Sequence, residues 1–431
     1  MVTPTQKSVP ANVRQSDREE LAEVVIAAET HDSRSTPWYV KLRVWLFCLG
    51  FLLITEAGAR VAFDTTTCLH TERFDNFPNP AALDAFVSQI KRDPAYRVVV
   101  LGDSVVVGPS LLAKDETIPA YLEAALEKEI PGKPIHVWNM GIAGARATDI
   151  YCVLLKILEA KPDFVVLENN LMMYTLDIRM RPVANHWLAY SLSPMPDVIK
   201  PLVPERNYKQ VIEDNTTWFA ESNSRLFGLR QAINGIMFGV QPRVPFENPN
   251  PAIMIAARAG QKVGKLKMEP WSLRNYKPAS FRNTYGHPVE PDNLNGKFYP
   301  LMIEELKKHN IPAYVYMTPQ NPVIIDASIQ RSFYLDIRKK AMEFVQQDYA
   351  PSVDYCELLP EHMFYDNDHL LAIGNKTLAD QIAKDIAPTI KAGGNRHAVL
   401  SGKSNRVVAA PTDAGKLPNR TDAIKRNESG L

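Results

Sequence analysis

Short apolar runs alternate with longer amphipathic stretches along most of this chain. The runs short enough for buried strands lie at residues 97–101, 135–139, 164–167, 313–317 and 353–355. The stretches with helical spacing of apolar residues lie at 117–130, 147–160, 298–309, 328–347 and 374–386. Strands that alternate with helices pair in parallel, because each helix carries the chain back to the start of the next strand. The pattern therefore predicts a doubly wound α/β domain with five parallel strands, within residues 63–391.

A different apolar segment precedes this domain. Residues 44–55 carry no charge, and Lys41 and Arg43 lie just before them. Extended to residues 38–62, the segment predicts a transmembrane signal anchor, with the basic side chains and the N-terminus on the cytoplasmic side and the domain outside, in the periplasm or beyond the cell. The alternative is a buried core helix, since the uncharged run is shorter than the roughly 20 residues that span a bilayer.

Three segments depart from the alternation. Residues 1–36 are polar and of mixed charge, and residues 392–431 are rich in basic and small polar residues, so both are predicted to be disordered tails. Residues 175–295 contain many prolines and aromatic residues and are predicted to be an insertion between two core strands. The insertion either covers the carboxyl edge of the sheet, where α/β proteins bind ligands, or forms an excursion on the surface.

The charge balance excludes several classes of protein. The chain has 49 Lys and Arg against 48 Asp and Glu, a net charge of +1, without a basic cluster, which argues against a nucleic-acid partner. Its four cysteines form no CxxC pair, and the sequence contains no P-loop, no GxGxxG and no HExxH. No metal or nucleotide cofactor is therefore predicted.

A serine follows the first predicted strand. Ser104 comes after residues 97–101 and the Gly102–Asp103 pair, where a tight turn would expose its hydroxyl as a nucleophile must be exposed. The alternative role for a serine at this place is a helix N-cap.

An acid and a histidine precede the last predicted helix. Asp366 and His369 are three residues apart, so that one turn can present the carboxylate to the imidazole. A serine needs an imidazole to take its proton, and the imidazole needs a carboxylate to fix its tautomer. We assign Ser104, His369 and Asp366 these three roles, with Asp368 as the second candidate for the carboxylate. A capping histidine is the alternative for His369.

Acyl transfer also requires hydrogen-bond donors for the developing oxyanion. Gly144 follows the second strand and can offer its backbone N–H close to a substrate, because it lacks Cβ. Asn169 and Asn170 follow the third strand and carry amide donors. Ordinary turn residues are the alternative at these positions.

Taken in order, these residues resemble the SGNH/GDSL hydrolase superfamily, over about residues 97–387 apart from the insertion. The resemblance implies a three-layer α/β/α flavodoxin-like fold, with Ser104 as nucleophile and as an oxyanion donor through its own N–H. It makes Gly144 and Asn170 the other two donors, His369 the base and Asp366 its partner. The third block departs from the Gly-x-Asn-Asp of the family, because Glu168-Asn169-Asn170-Leu171 stands there. Asn169 therefore remains an alternative donor.

The function expected from this resemblance is that of a membrane-anchored serine esterase or O-acyltransferase without a cofactor. By analogy with anchored bacterial proteins that add or remove acetyl groups, its partners would be an acylated small molecule or a glycan, either exported polysaccharide or cell-wall glycan. The alternative is a non-catalytic SGNH-like protein that binds or positions a glycan in an export assembly, which the divergent third block motivates.

Overall fold

The computed structural model of the protein describes residues 38–76, 78–109, 112–175, 183–230, 233 and 285–393. The tails predicted at residues 1–36 and 392–431 lie outside these residues, except for residues 392 and 393. Much of the predicted insertion also lies outside them. The chain divides into two units between Thr55 and Glu56.

The second unit contains a parallel sheet of five strands. The strands are β1 (Tyr96–Leu101), β2 (Ile135–Asn139), β3 (Phe164–Asn169), β4 (Ala313–Met317) and β5 (Ser352–Asp354). They lie in the order β2-β1-β3-β4-β5, and every neighbouring pair is parallel. This is the strand order of flavodoxin-like folds. The predicted three-layer α/β fold class is thus confirmed, and the observed strands lie where the apolar runs placed them.

Helices cover both faces of the sheet. The main ones are α2 (Pro80–Arg92), α4 (Ile118–Glu129), α5 (Ala147–Ile157), α10 (Leu294–Lys308), α12 (Arg331–Val345) and α13 (Ala372–Lys391). Shorter helices are α3 (Ser104–Val107), α6 (Met172–Thr175), α7 (His186–Tyr190), α9 (Arg225–Gly228) and α11 (Pro322–Ser328), and α8 (Tyr208–Asn223) lies among the described parts of the insertion.

The strand side chains divide between two apolar cores because successive residues of a strand point to opposite faces. Val99 and Leu101 belong to the core on the side of α2, α5, α10 and α12. Val98 and Val100 belong to the core on the side of α4 and α13. Both faces are buried, so the strands read as continuous apolar runs and not as alternating ones.

The strand order places a topological switch point between β1 and β3. The connection after β1 runs toward β2, whereas the connection after β3 runs toward β4, so the loops diverge and leave a crevice at the carboxyl ends. Ser104 follows β1 and Asn170 follows β3, on the two sides of this crevice.

Two helical regions differ from the sequence-based expectation. No helix was predicted between the apolar segment and the first strand, but α2 begins at Pro80, and the side chain of Asn79 caps it by accepting the N–H of Ala82 at 2.8 Å. The helix expected over residues 328–347 is α12, which begins three residues later, at Arg331, and a separate helix, α11, which was not predicted, ends at Ser328. Extended backbone at Ile329 and Gln330 separates them.

The first helix, α1 (Trp38–Thr65), is longer than the predicted span of residues 38–62. Among the described residues, α1 is the one helix that is long and apolar enough to cross a membrane, and its most apolar window has a mean hydropathy of 1.7. Only 6% of that window is buried, whereas a core helix would be largely covered.

The last turns of α1 belong to the second unit and pack into it. Ala59 and Phe63 are buried. The carboxylate of Glu56 accepts the N–H groups of Arg225 and Leu226 at 2.9 and 3.1 Å, at the start of α9. A carboxylate at a helix N-terminus satisfies donors that have no partner within the helix, so Glu56 stabilises this junction.

Candidate active site

The turn after β1 presents Ser104 as the first residue of α3. The N-cap of this helix is Asp103, whose side chain accepts the N–H of Val105 at 2.9 Å. Because Asp103 performs the capping that the sequence left open for Ser104, the serine hydroxyl is available for another partner.

Ser104, His369 and Asp366 form one hydrogen-bonded line. The Ser104 hydroxyl lies 2.9 Å from Nε2 of His369. On the other side of the ring, Nδ1 lies 2.9 and 3.0 Å from the two carboxylate oxygens of Asp366. The carboxylate holds the hydrogen on Nδ1, which leaves Nε2 as the acceptor of the serine proton. The structure therefore brings together the three residues that the sequence assigned to nucleophile, base and orienting acid.

The ionisation of Asp366 fits its place beside the ring. Burial acts to raise the pKa of this carboxyl, but the charge of His369 and hydrogen bonds from His369 and from the Asp368 N–H outweigh it and hold the pKa below its usual value. Asp366 consequently stays a carboxylate over the pH range in which His369 would act.

The loop that carries Asp366 is braced by residues that sequence analysis did not single out. Asn321 donates its side-chain amide to the Asp366 carbonyl at 3.0 Å and its N–H to the Asn367 carbonyl at 2.8 Å. The Asn367 amide in turn donates to the hydroxyl of buried Tyr285 at 2.9 Å. The polar turn after β4, which contains Asn321, thus supports the loop that carries Asp366 and His369. The position of Asn321 just beyond a strand end was its sequence signal.

Asp368 is a second carboxylate beside the ring. Its Oδ1 lies 3.3 Å from Nδ1 of His369, farther than either oxygen of Asp366. Its side chain is 2% exposed, and burial raises its pKa to about 7, against the opposing effect of the His369 charge. Asp366 is therefore the closer partner of the base.

Asn170 faces two carboxylates. Its side-chain nitrogen donates to Oδ2 of Asp103 and to Oδ2 of Asp368, both at 2.9 Å. Its oxygen accepts the N–H of Met172 at 3.0 Å, which fixes the orientation of the amide. The predicted oxyanion donor thus has both of its hydrogens directed at acids within the protein.

The two other predicted donor positions have different surroundings. Asn169 is fully buried, its oxygen accepts the hydroxyl of Tyr174 at 2.6 Å, and its nitrogen has no hydrogen-bond partner among the described residues. Gly144 is exposed and has a φ of +71°, a conformation that favours glycine. The oxyanion roles of Ser104, Gly144 and Asn170 remain predictions.

Glu168 lies beneath the turn of Gly102 and Asp103 that leads to Ser104, which we call the nucleophile turn, and it is 0% exposed. It accepts the N–H of Asp103 at 2.7 Å and the hydroxyl of Thr318 at 2.8 Å. A Cβ on Gly102 would lie 2.1 Å from the same carboxylate, so glycine is required there for close approach. Burial, and next the charge of Asp103, raise the pKa of Glu168 well above its usual value. Sequence analysis noted this glutamate only as a departure from a motif.

Three residues of this region form the candidate metal-binding group among the residues that the structure describes. Asp366, Asp368 and His369 bring ligand atoms within 4.8 Å of one another. Both ring nitrogens of His369 are already engaged, one by Ser104 and the other by Asp366. The donor set therefore fits a proton-transfer triad better than a site in which a ring nitrogen of His369 binds a metal ion.

Comparisons with known proteins give a distant structural likeness. No protein-family model and no curated protein matches the sequence. Among solved structures, the chain is similar to an acetylxylan esterase from Geobacillus stearothermophilus, solved as a catalytic mutant, at 12% identity and a TM-score of 0.31. The match covers 68% of this chain and 94% of the esterase.

Proposed function

We propose that this protein is a membrane-anchored serine esterase or O-acyltransferase that works through an acyl-enzyme on Ser104. The observation that carries the proposal is the line from Ser104 through His369 to Asp366, with three distances of 2.9 to 3.0 Å. Hydrogen bonds of this length place the hydroxyl and its base within reach of direct proton transfer.

The reaction follows from these contacts. The Ser104 oxygen attacks the carbonyl carbon of an ester while Nε2 of His369 takes the hydroxyl proton, and Asp366 stabilises the imidazolium. When the tetrahedral intermediate collapses, the ester C–O bond breaks and His369 returns the proton to the leaving alcohol. A second hydroxyl then attacks the acyl-serine while His369 takes its proton, the bond between the acyl carbon and the Ser104 oxygen breaks, and His369 returns the proton to Ser104. The product is a free acid if the hydroxyl belongs to water and a new ester if it belongs to a sugar.

The substrate class and location are part of the same proposal. The exposed apolar surface of α1 supports an anchor, and the basic residues Lys41 and Arg43 at its start favour a cytoplasmic N-terminus. An anchored catalytic unit outside the cytoplasm would meet exported polysaccharide or cell-wall glycan, and the O-acetyl groups of such glycans are esters of the required kind.

The proposal is tested with the full-length protein in detergent and p-nitrophenyl acetate. Ser104→Ala and His369→Ala should each lower kcat by at least about a thousandfold. Ser88→Ala and His309→Ala, which alter a serine and a histidine outside the site, serve as matched controls. Equal rates for wild type and Ser104→Ala would reject the enzyme and favour the non-catalytic glycan-binding alternative.

Two further measurements distinguish hydrolysis from acyl transfer and test the orientation of the protein in the membrane. An acetylated oligosaccharide detected by mass spectrometry after addition of a soluble acceptor would indicate transfer, and acetate alone would indicate hydrolysis. A reporter enzyme that folds only in an oxidising compartment, fused after residue 393, should be active. An inactive reporter in a fusion that is expressed would contradict the orientation.

A further inference from the structure

One side-chain amide joins the two segments that carry the nucleophile and the base. The Asn170 nitrogen donates one hydrogen to Asp103 and the other to Asp368. An asparagine amide has two hydrogens, so this arrangement uses its whole donor capacity.

Each of the two acceptors is the sequence neighbour of a residue of the proposed triad. Asp103 immediately precedes Ser104, and Asp368 immediately precedes His369. The nucleophile and the base are 265 residues apart, and they meet at the carboxyl edge of the sheet. Asn170 follows β3, the strand beside β1, and from there reaches both segments.

We propose that Asn170 and Asp368 are positioning residues that hold Ser104 and His369 within hydrogen-bonding distance of each other, and that the Asn170 side chain is not an oxyanion donor. The inference rests on the proposed function. It differs from the role that the motif order implies for Asn170, because a donor to the oxyanion would need a hydrogen that one of the two carboxylates now accepts.

Burial makes the bridge effective. Asn170 is 1% exposed and Asp368 is 2% exposed, so water competes little for either group. A nucleophile misplaced by about 1 Å can lose about a hundredfold in rate, so a bridge that fixes the Ser104–His369 distance affects kcat more than KM.

A double-mutant cycle in the full-length protein in detergent tests the proposal, with p-nitrophenyl acetate as substrate. Asn170→Ala and Asp368→Ala should each lower kcat by about 10- to 100-fold, with KM within about threefold. Because both changes break the same bridge, the double variant should be no more than about threefold slower than the slower single variant. Asp368→Asn keeps an oxygen that can accept the Asn170 N–H and should recover at least about tenfold over Asp368→Ala.

Two results would overturn the inference. If the loss in the double variant equals the product of the single losses, Asn170 acts independently of Asp368, as an oxyanion donor would. If Asp368→Asn is as slow as Asp368→Ala, the hydrogen bond is not what positions the base.

Two controls distinguish failure of this inference from misfolding of the variants and from failure of the proposed function. If the alanine variants do not melt cooperatively, the cycle is repeated with Asn170→Leu and Asp368→Leu, since leucine is close in size to both residues and avoids the cavity that alanine leaves. An active wild type, an inactive Ser104→Ala and an additive cycle would reject this inference alone. Equal rates for wild type and Ser104→Ala would reject it together with the proposed function.

Discussion

The carboxylate of Glu168 accepts the backbone N–H of Asp103 at 2.7 Å, which ties the end of β3 to the turn that carries the nucleophile. The contact requires the glycine at position 102, since a Cβ there would collide with the glutamate. The nucleophile turn therefore lies on a buried acid.

This acid makes the stability of the protein depend on pH. Since the pKa of Glu168 is raised well above its usual value, the folded protein keeps a proton that the unfolded chain loses above about pH 4.3. The stabilisation is therefore full below that pH and is lost as the pH rises toward the folded value. Glu168→Gln removes this dependence, so its melting temperature should rise relative to wild type between pH 5 and pH 8.

A matched control for this measurement is Glu127→Gln, which changes an exposed glutamate of α4. Its melting temperature should differ from that of wild type by the same amount at both pH values. Glu168→Ala should be destabilised by about 2–4 kcal/mol, because it leaves the Asp103 N–H and the Thr318 hydroxyl buried without an acceptor. A constant difference between Glu168→Gln and wild type would contradict a protonated Glu168.

Removal of the charge at Asp366 should impair chemistry more than binding. Asp366→Asn takes away the carboxylate that fixes the His369 tautomer and stabilises the imidazolium, so kcat should fall by about 10²- to 10⁴-fold with KM nearly unchanged. Asp336→Asn, on the exposed surface of α12, is the control. A loss of less than threefold at position 366 would show that Asp366 does not orient the base.

Asp368 should influence the acid limb of the pH–rate profile. Its carboxyl, with a pKa of about 7, faces His369, the Asp366 and Asp103 carboxyls and the hydroxyl of Tyr285. Once ionised, it favours the protonated imidazole, which cannot act as a base. Asp368→Asn should therefore move the acid limb of kcat/KM to lower pH, by up to about one unit. A shift to higher pH would contradict this electrostatic role.

The backbone at Gly144 can be tested against a glycine in a similar conformation. Gly144 and Gly132 have φ values of +71° and +85°, and an added Cβ would meet nothing within 4 Å at either position. Alanine at each should cost about 1 kcal/mol of stability through strain alone. If the Gly144 N–H serves the oxyanion, Gly144→Ala should also lower kcat about tenfold, whereas Gly132→Ala should not. Equal rates for the two variants would remove Gly144 from the oxyanion hole.

Much of the fold was predictable because its signals are local. The five apolar runs matched the five strands, and the alternation with helices fixed their parallel pairing. The Asn79–Pro80 pair is a helix-start signal from which α2 could have been predicted, but the sequence analysis did not use it. The break between α11 and α12 had no comparable signal, because Ile329 and Gln330 are compatible with a helix.

Local patterns in the sequence were sufficient to predict the α/β class and to place Ser104 after a buried strand and Asp366 and His369 before the last helix. The three-dimensional arrangement was needed to show that Asp103 caps α3, that Glu168 is buried beneath the nucleophile turn, and that Asn170 donates to two acids. The reason is physical. Strand and helix patterns depend on neighbours within a few residues, whereas the acceptors of Asn170 lie 67 and 198 residues away and are brought to it by the order of the strands.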